Sequence, residues 1–237
     1  MKQLETKNQI LNMSALNIYS EIGIEIYILN KKHDNDVKFI KNNEINYQSI
    51  KEYDNIEKKQ KRIKELESSF KGFNGCNLKK TSTNFVTFFG NPNSKILIID
   101  GPPDIDEDKT GTPFVSKKGE IFEKMLKAIN LKKNDTFIAK SIPWRPPGNR
   151  YPTMEEIKIC RPFIFNLIKL LRPKIIVCLG EVATNQILEL DQSISTLRGK
   201  WRLLKSGRIF KAKEFISDFN VLPTFNISQF TANPSLN

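Results

Sequence analysis

Histidine is almost missing from this chain: among 237 residues only His33 carries an imidazole, and it sits in the polar stretch NKKHDNDV. Chemistry that depends on several histidines, as acid, base or metal ligand, is therefore excluded. Cysteine is scarce as well. Cys76, Cys160 and Cys178 are odd in number and widely spaced, which argues against a disulfide framework and for reduced thiols. No run of about eighteen apolar residues occurs, so no membrane-spanning helix is expected. The sequence opens with no charged-then-apolar leader, and a cytoplasmic location is the expectation. No G-x-G-x-x-G follows the first apolar strand, which counts against a dinucleotide-binding domain. Acidic residues are the minority charge: 26 Asp and Glu against 38 Lys and Arg leave a formal charge of +12. That excess favours a polyanionic partner such as nucleic acid over a small neutral ligand.

What is present divides near residue 70. Residues 1–70 are rich in Asn, Lys, Glu and Ile and end in the charged, helix-like KKQKRIKELESSF. They read as a mainly helical, polar appendage with room for a protein partner. Residues 71–237 carry a different pattern: KILIID, GEIFEKMLKAI, DTFIAK, EEIKICRPFIFNLIKLL, KIIVCLG, EVATNQILEL and NVLPTF alternate short apolar runs with longer amphipathic ones. Continuous four- to six-residue apolar strands separated by helices predict an α/β fold with a parallel sheet covered on both faces. Thr153 followed by Glu156 marks a helix start as a capping box. Ile121, Phe122, Met125, Leu126 and Ile129 predict one buried helical stripe, and Pro162 predicts a kink.

In such a sheet, ligands collect just past the carboxyl ends of the strands. Four segments fall there: DGPPDIDEDKTGTPFV, KSIPWRPPGNR, LGEVA and PTFNISQF. Within PWRPPGNRYP, Arg145 and Arg150 are suited to phosphates, and the prolines limit the entropy lost on docking. The same loop also reads as a stiff connector whose Trp144 fills core.

These segments carry a resemblance. GPPDIDEDKTGTPFVSKKG, PWRPPGNRYPTMEEIKICRPF, RPKIIVCLGEVA and LRGKW, in this order, resemble the successive motifs of the type-4 uracil-DNA glycosylases over roughly residues 70–230. The resemblance implies a three-layer α/β/α sandwich with a central four-stranded parallel sheet and DNA as partner; a monomer is expected. The resemblance also implies extrusion of a uracil nucleotide and hydrolysis of its N-glycosidic bond. Phe114 matches the ring that stacks the flipped base. The family's Gly-Glu-x-Pro-Gly motif places its glutamate on Gly101, leaving Asp100, Asp106, Glu107 and Asp108 as the carboxylates near the water. The uracil-reading asparagine falls on Lys140, which donates hydrogen bonds but cannot accept them. Where the family carries His-Pro-Ser, this chain has Asn226, Ile227 and Ser228; Asn226 is the group left to assist the departing base. Arg145, Arg150, Arg198, Lys200 and Ser228 fall on positions expected to meet DNA.

Many type-4 members hold a four-iron, four-sulfur cluster on four cysteines. Cys76 and Cys160 match two of those positions, while Phe73 and Trp144 occupy the others, so no cluster and no other metal is expected. Three readings stay open at this stage: an active uracil glycosylase with substituted groups, a catalytically silent homologue that binds DNA or damaged bases, and a scaffold remnant.

Overall fold

The computed structural model describes residues 56–190, 192–209 and 218–232. Most of the expected appendage, with His33, lies outside those residues. Helix α1 (Ile56–Gly72) is followed by β1 (Phe88–Gly90), β2 (Ile96–Asp100), α2 (Ile105–Thr110) and α3 (Ser116–Ala128). Then come β3 (Phe137–Lys140), α4 (Met154–Leu171), β4 (Ile175–Leu179), α5 (Gly180–Leu188) and α6 (Ile194–Leu197). Strands β5 (Arg202–Leu204) and β6 (Phe219–Thr224) precede α7 (Ile227–Ala232).

The sheet has six strands in the order β1-β3-β2-β4-β6-β5. Its inner four, β3, β2, β4 and β6, are parallel, as the apolar runs predict; β1 and β5 add antiparallel edges. Both edges are only three residues long, FFG and RLL, too short to carry a detectable period, which is why the sequence does not announce them. Leu97, Ile99, Ile138, Ala139, Ile176 and Cys178 are fully buried, as strands covered on both faces require.

Helix α1 joins the core of this domain. Ile63, Leu66 and Phe70 follow one helical face and are buried, and the Phe70 ring stacks on Phe163 of α4 with centroids 4.0 Å apart. The boundary drawn at residue 70 thus falls inside a helix that packs on the sheet's cover. Helix α4 starts at the expected Thr153–Glu156 capping box and continues through Pro162 to Leu171. On α3 the expected apolar stripe is only partly buried: Phe122 and Leu126 are inside, whereas Met125 and Ile129 are exposed. The buried face is rotated because Lys118 and Gly119, not Met125, turn inward.

All four parallel strands end on one side. Asp100 and Lys140 are the last residues of β2 and β3, and they are direct partners across the ladder. Leu179 and Thr224 are the corresponding partners at the ends of β4 and β6.

Candidate active site

A closed charge quartet occupies this rim. The Lys140 ammonium donates to Asp100 Oδ2 and to Glu107 Oε2, each at 2.6 Å. Lys118 donates to the same two oxygens at 2.7 and 3.3 Å. Asp100, Glu107 and Lys140 are wholly shielded from solvent, and Lys118 nearly so. Two carboxylates thus face two ammoniums in the interior, where unpaired charges would be very costly. Local structure holds each partner in place. Glu107 lies in the first turn of α2, whose N-cap Asp104 accepts from the Asp106 and Glu107 amides while Glu107 accepts in return from the Asp104 amide. Lys118 is in the first turn of α3 and Phe122 lies one turn on, so both face inward.

Phe114 lies beneath the quartet. Its backbone is in the left-handed region (φ 55°), a conformation sustained by its N–H donating to Glu107 Oε1 at 2.7 Å. One ring face stacks on Phe122, with centroids 4.2 Å apart and planes 12° from parallel. The Lys118 and Lys140 ammoniums lie over the ring at 5.3 and 5.6 Å from its centroid. Gly119 permits the arrangement: a Cβ there would stand 2.1 Å from the Phe114 carbonyl oxygen. The ring expected to stack a base is therefore buried, packed against Phe122 and the two ammoniums.

The other expected residues divide into those that join the quartet and those that do not. Asn226 joins it: its Nδ2 donates to Asp100 Oδ1 at 3.1 Å, and its Oδ1 accepts from the Ser228 amide. Asp106 is exposed on α2, away from the cluster. Asp108 instead accepts from the amides of Thr83 and Asn84, tying α2 to the loop before β1. Arg145 donates to Asn149 Oδ1 and stands 4.0 Å from Asp108. Arg150 forms a two-pronged pair with Glu156 at 2.7 and 2.9 Å. Arg198 and Lys200 are exposed on the loop between α6 and β5. Beside the quartet an open cleft of about 300 Å³ is lined by Gly101, Pro102, Tyr151, Gly180, Glu181 and Asn226. At Gly101 a side chain would have room, its nearest neighbour being Asn226 Nδ2 at 3.7 Å. Packing does not explain the missing carboxylate there. Lys118 is the site residue that sequence reasoning missed; its spacing of four and eight from the buried Phe122 and Leu126 was the available signal.

The protonation states follow from this geometry. Burial pushes the Asp100 and Glu107 carboxyls up, but the neighbouring ammoniums outweigh it and hold both below the usual carboxylate range. Burial works against the Lys118 ammonium, and Asp100 with Glu107 overcome it, raising its pKa. The depressed carboxyls contribute stability that is present above their unfolded values, about 4, and lost as pH falls through the folded ones. The raised lysine contributes below its unfolded value, about 10.4, and that contribution is lost as pH rises through its folded pKa. Urea unfolding across pH is expected to give a plateau through neutrality with an acid limb beginning below about pH 4. Undiminished stability at pH 3 would contradict the charged quartet.

The thiol set does not fit a four-iron, four-sulfur cluster. Cys76 and Cys160 are buried neighbours; the hydrogen bond with Cys160 holds the Cys76 thiol down, while burial pushes the Cys160 thiol up. At the other two positions Phe73 and Trp144 are buried, Phe73 packing on Phe163 and Trp144 on Phe70. Cys178, on β4, is buried in the sheet, and burial raises its thiol. Two neighbouring thiols fall short of the four thiolates such a cluster takes. Among the described residues, no group of three or more His, Cys, Asp or Glu is arranged to hold a metal ion, and no helix is long and apolar enough to cross a membrane.

Comparison with known proteins agrees with this fold. The family model for the uracil DNA glycosylase superfamily matches residues 87–237. A type-4 uracil-DNA glycosylase of Archaeoglobus fulgidus is 38% identical over 129 residues, covering 53% of this chain and 65% of that protein's own length. Those of Sulfurisphaera tokodaii and Thermotoga maritima are 36% and 31% identical, each across 68% of this chain and across 72% and 78% of their own. With its inner parallel strands, its rim segments and these matches in agreement, the chain belongs to the type-4 family of the uracil DNA glycosylase superfamily.

Proposed function

We propose that this protein binds DNA in the manner its relatives' names imply but does not release uracil, because its own charges close the base site. The observation that carries this reading is the pair of ammoniums over Phe114. For a base to stack on that ring, Lys140 and Lys118 must leave Asp100 and Glu107. Breaking a buried ion pair by removing one partner costs about 3–5 kcal/mol, whereas stacking one base on an aromatic ring returns about 1–3 kcal/mol. The quartet wins. Gly101 supplies no carboxylate and Asn226 cannot become a cation, so the groups around the closed ring are also ill suited to hydrolysis. The formal charge of +12 supports attraction to a phosphate backbone. One contact favours the rival reading of a working glycosylase: Asn226 and Asp100 remain adjacent beside the open cleft.

Fluorescence anisotropy with two duplexes, identical except for one uracil in place of thymine, tests the proposal. Equal affinities, within about twofold, and a steep fall with salt are expected. Arg145→Gln should reduce the slope of log K against log salt by about 0.9, the value for one phosphate contact. Arg150→Gln should reduce it less, since Glu156 already neutralises that guanidinium. A preference for uracil of about tenfold or more would mean an accessible base site, and absence of salt-sensitive DNA affinity would remove the reading altogether.

A further inference from the structure

The LRGKW motif holds a feature that the closed base site leaves unused. The protein has two tryptophans with opposite surroundings: Trp144 is 2% exposed and Trp201 57%. Trp201 sits on the same rim as the candidate site. The Gly199 amide donates to the Pro223 carbonyl at 2.9 Å, and Arg202 faces Val221 in the antiparallel β5–β6 ladder. Residues 199–201 therefore run along the carboxyl end of β6, the strand that leads into Asn226. The Arg198 guanidinium lies 4.3 Å over the Phe225 ring, immediately before Asn226.

Charge sorts this surface. Farther along, Lys205 is paired with Asp218 and Arg208 with Glu189. At the rim, the exposed Arg198 and Lys200 have no carboxylate partner among the described residues. An exposed indole that follows two cations with no carboxylate partner gains by burial, and a ligand that is flat, apolar on its face and anionic at its edge suits it. A nucleotide in a single strand has that chemistry, because its base face is unpaired and its phosphates flank it. A paired duplex hides the base faces.

We propose that the Arg198–Trp201 segment is a single-strand platform, in which the Trp201 indole stacks an unpaired base while Arg198 and Lys200 take the adjoining phosphates. This rests on the DNA-binding reading above and adds to it the strand form and the residue that grips it. Leu203, exposed on the same side of β5, extends the apolar strip by one residue.

Tryptophan emission of the full chain, titrated with a twelve-nucleotide oligo(dT) and with a duplex of equal length, provides the test. Quenching by oligo(dT) is expected, and it should vanish in Trp201→Phe, where only the buried Trp144 emits. Trp201→Ala should weaken oligo(dT) binding about tenfold, the fold-change for loss of one stacked base, with duplex binding changed less than about twofold. Oligo(dT) binding with unaltered emission and no loss in Trp201→Ala would overturn the platform and leave DNA binding standing, as would equal losses for both strand forms. No binding of either DNA would instead overturn the DNA-binding reading on which the platform rests.

Discussion

Lys140→Met is expected to cost about 3–5 kcal/mol of stability, the loss measured when one member of a buried ion pair is removed. At this chain length that corresponds to a fall in Tm of about 10 °C. Methionine keeps the apolar stem of the lysine, so packing against the sheet changes little and the effect reads the charge. With the ammonium gone, Asp100 and Glu107 share Lys118 alone and one buried negative charge is uncompensated. The double variant Lys140→Met with Glu107→Gln removes one charge of each sign, so it should be less destabilised than the sum of its single variants. Urea unfolding of the four proteins checks this. Lys140→Met within about 1 kcal/mol of the parent would mean that Lys140 does not anchor the quartet.

Elements that carry their own signal could be read from sequence, and those that depend on neighbours could not. The inner strands were legible because ILIID, FIAK and IIVCL are buried on both faces and carry their signal without help from neighbours. The capping box at Thr153 was legible for the same reason: both partners lie within one turn. The edges β1 and β5 were not, since three residues paired on one side leave no period to detect. Helix α1 read as part of an appendage because its exposed face dominates the composition, and only Ile63, Leu66 and Phe70 reveal that it packs on α4. At the site, Lys140 was legible as a departure that loses an acceptor. Its consequence was not, because a lysine in isolation reads as solvated. Only the ladder that sets it beside Asp100, and the α3 turn that adds Lys118, convert the change into a closed quartet. The DED run at Asp106–Asp108 divides the same way. Its three carboxylates look alike in sequence, yet helix geometry sends one to solvent, one to the quartet and one to the Thr83 and Asn84 amides.

Each preorganised group at a reacting centre supplies on the order of 10²–10³ in rate. Under the proposed reading, Gly101, Lys140 and Asn226 stand where the resemblance implies three such groups of other kinds, and two ammoniums lie over the Phe114 ring. The most direct measurement is incubation of the full chain, in excess, with a labelled uracil-containing oligonucleotide, single- and double-stranded, followed by alkaline cleavage. Asp100→Asn prepared in parallel controls for host glycosylase. With the base site closed, no alkali-labile product is expected over hours from either strand form. Product formed by the parent chain and lost in Asp100→Asn would contradict that closure, because a uracil would then have reached Phe114 through the quartet.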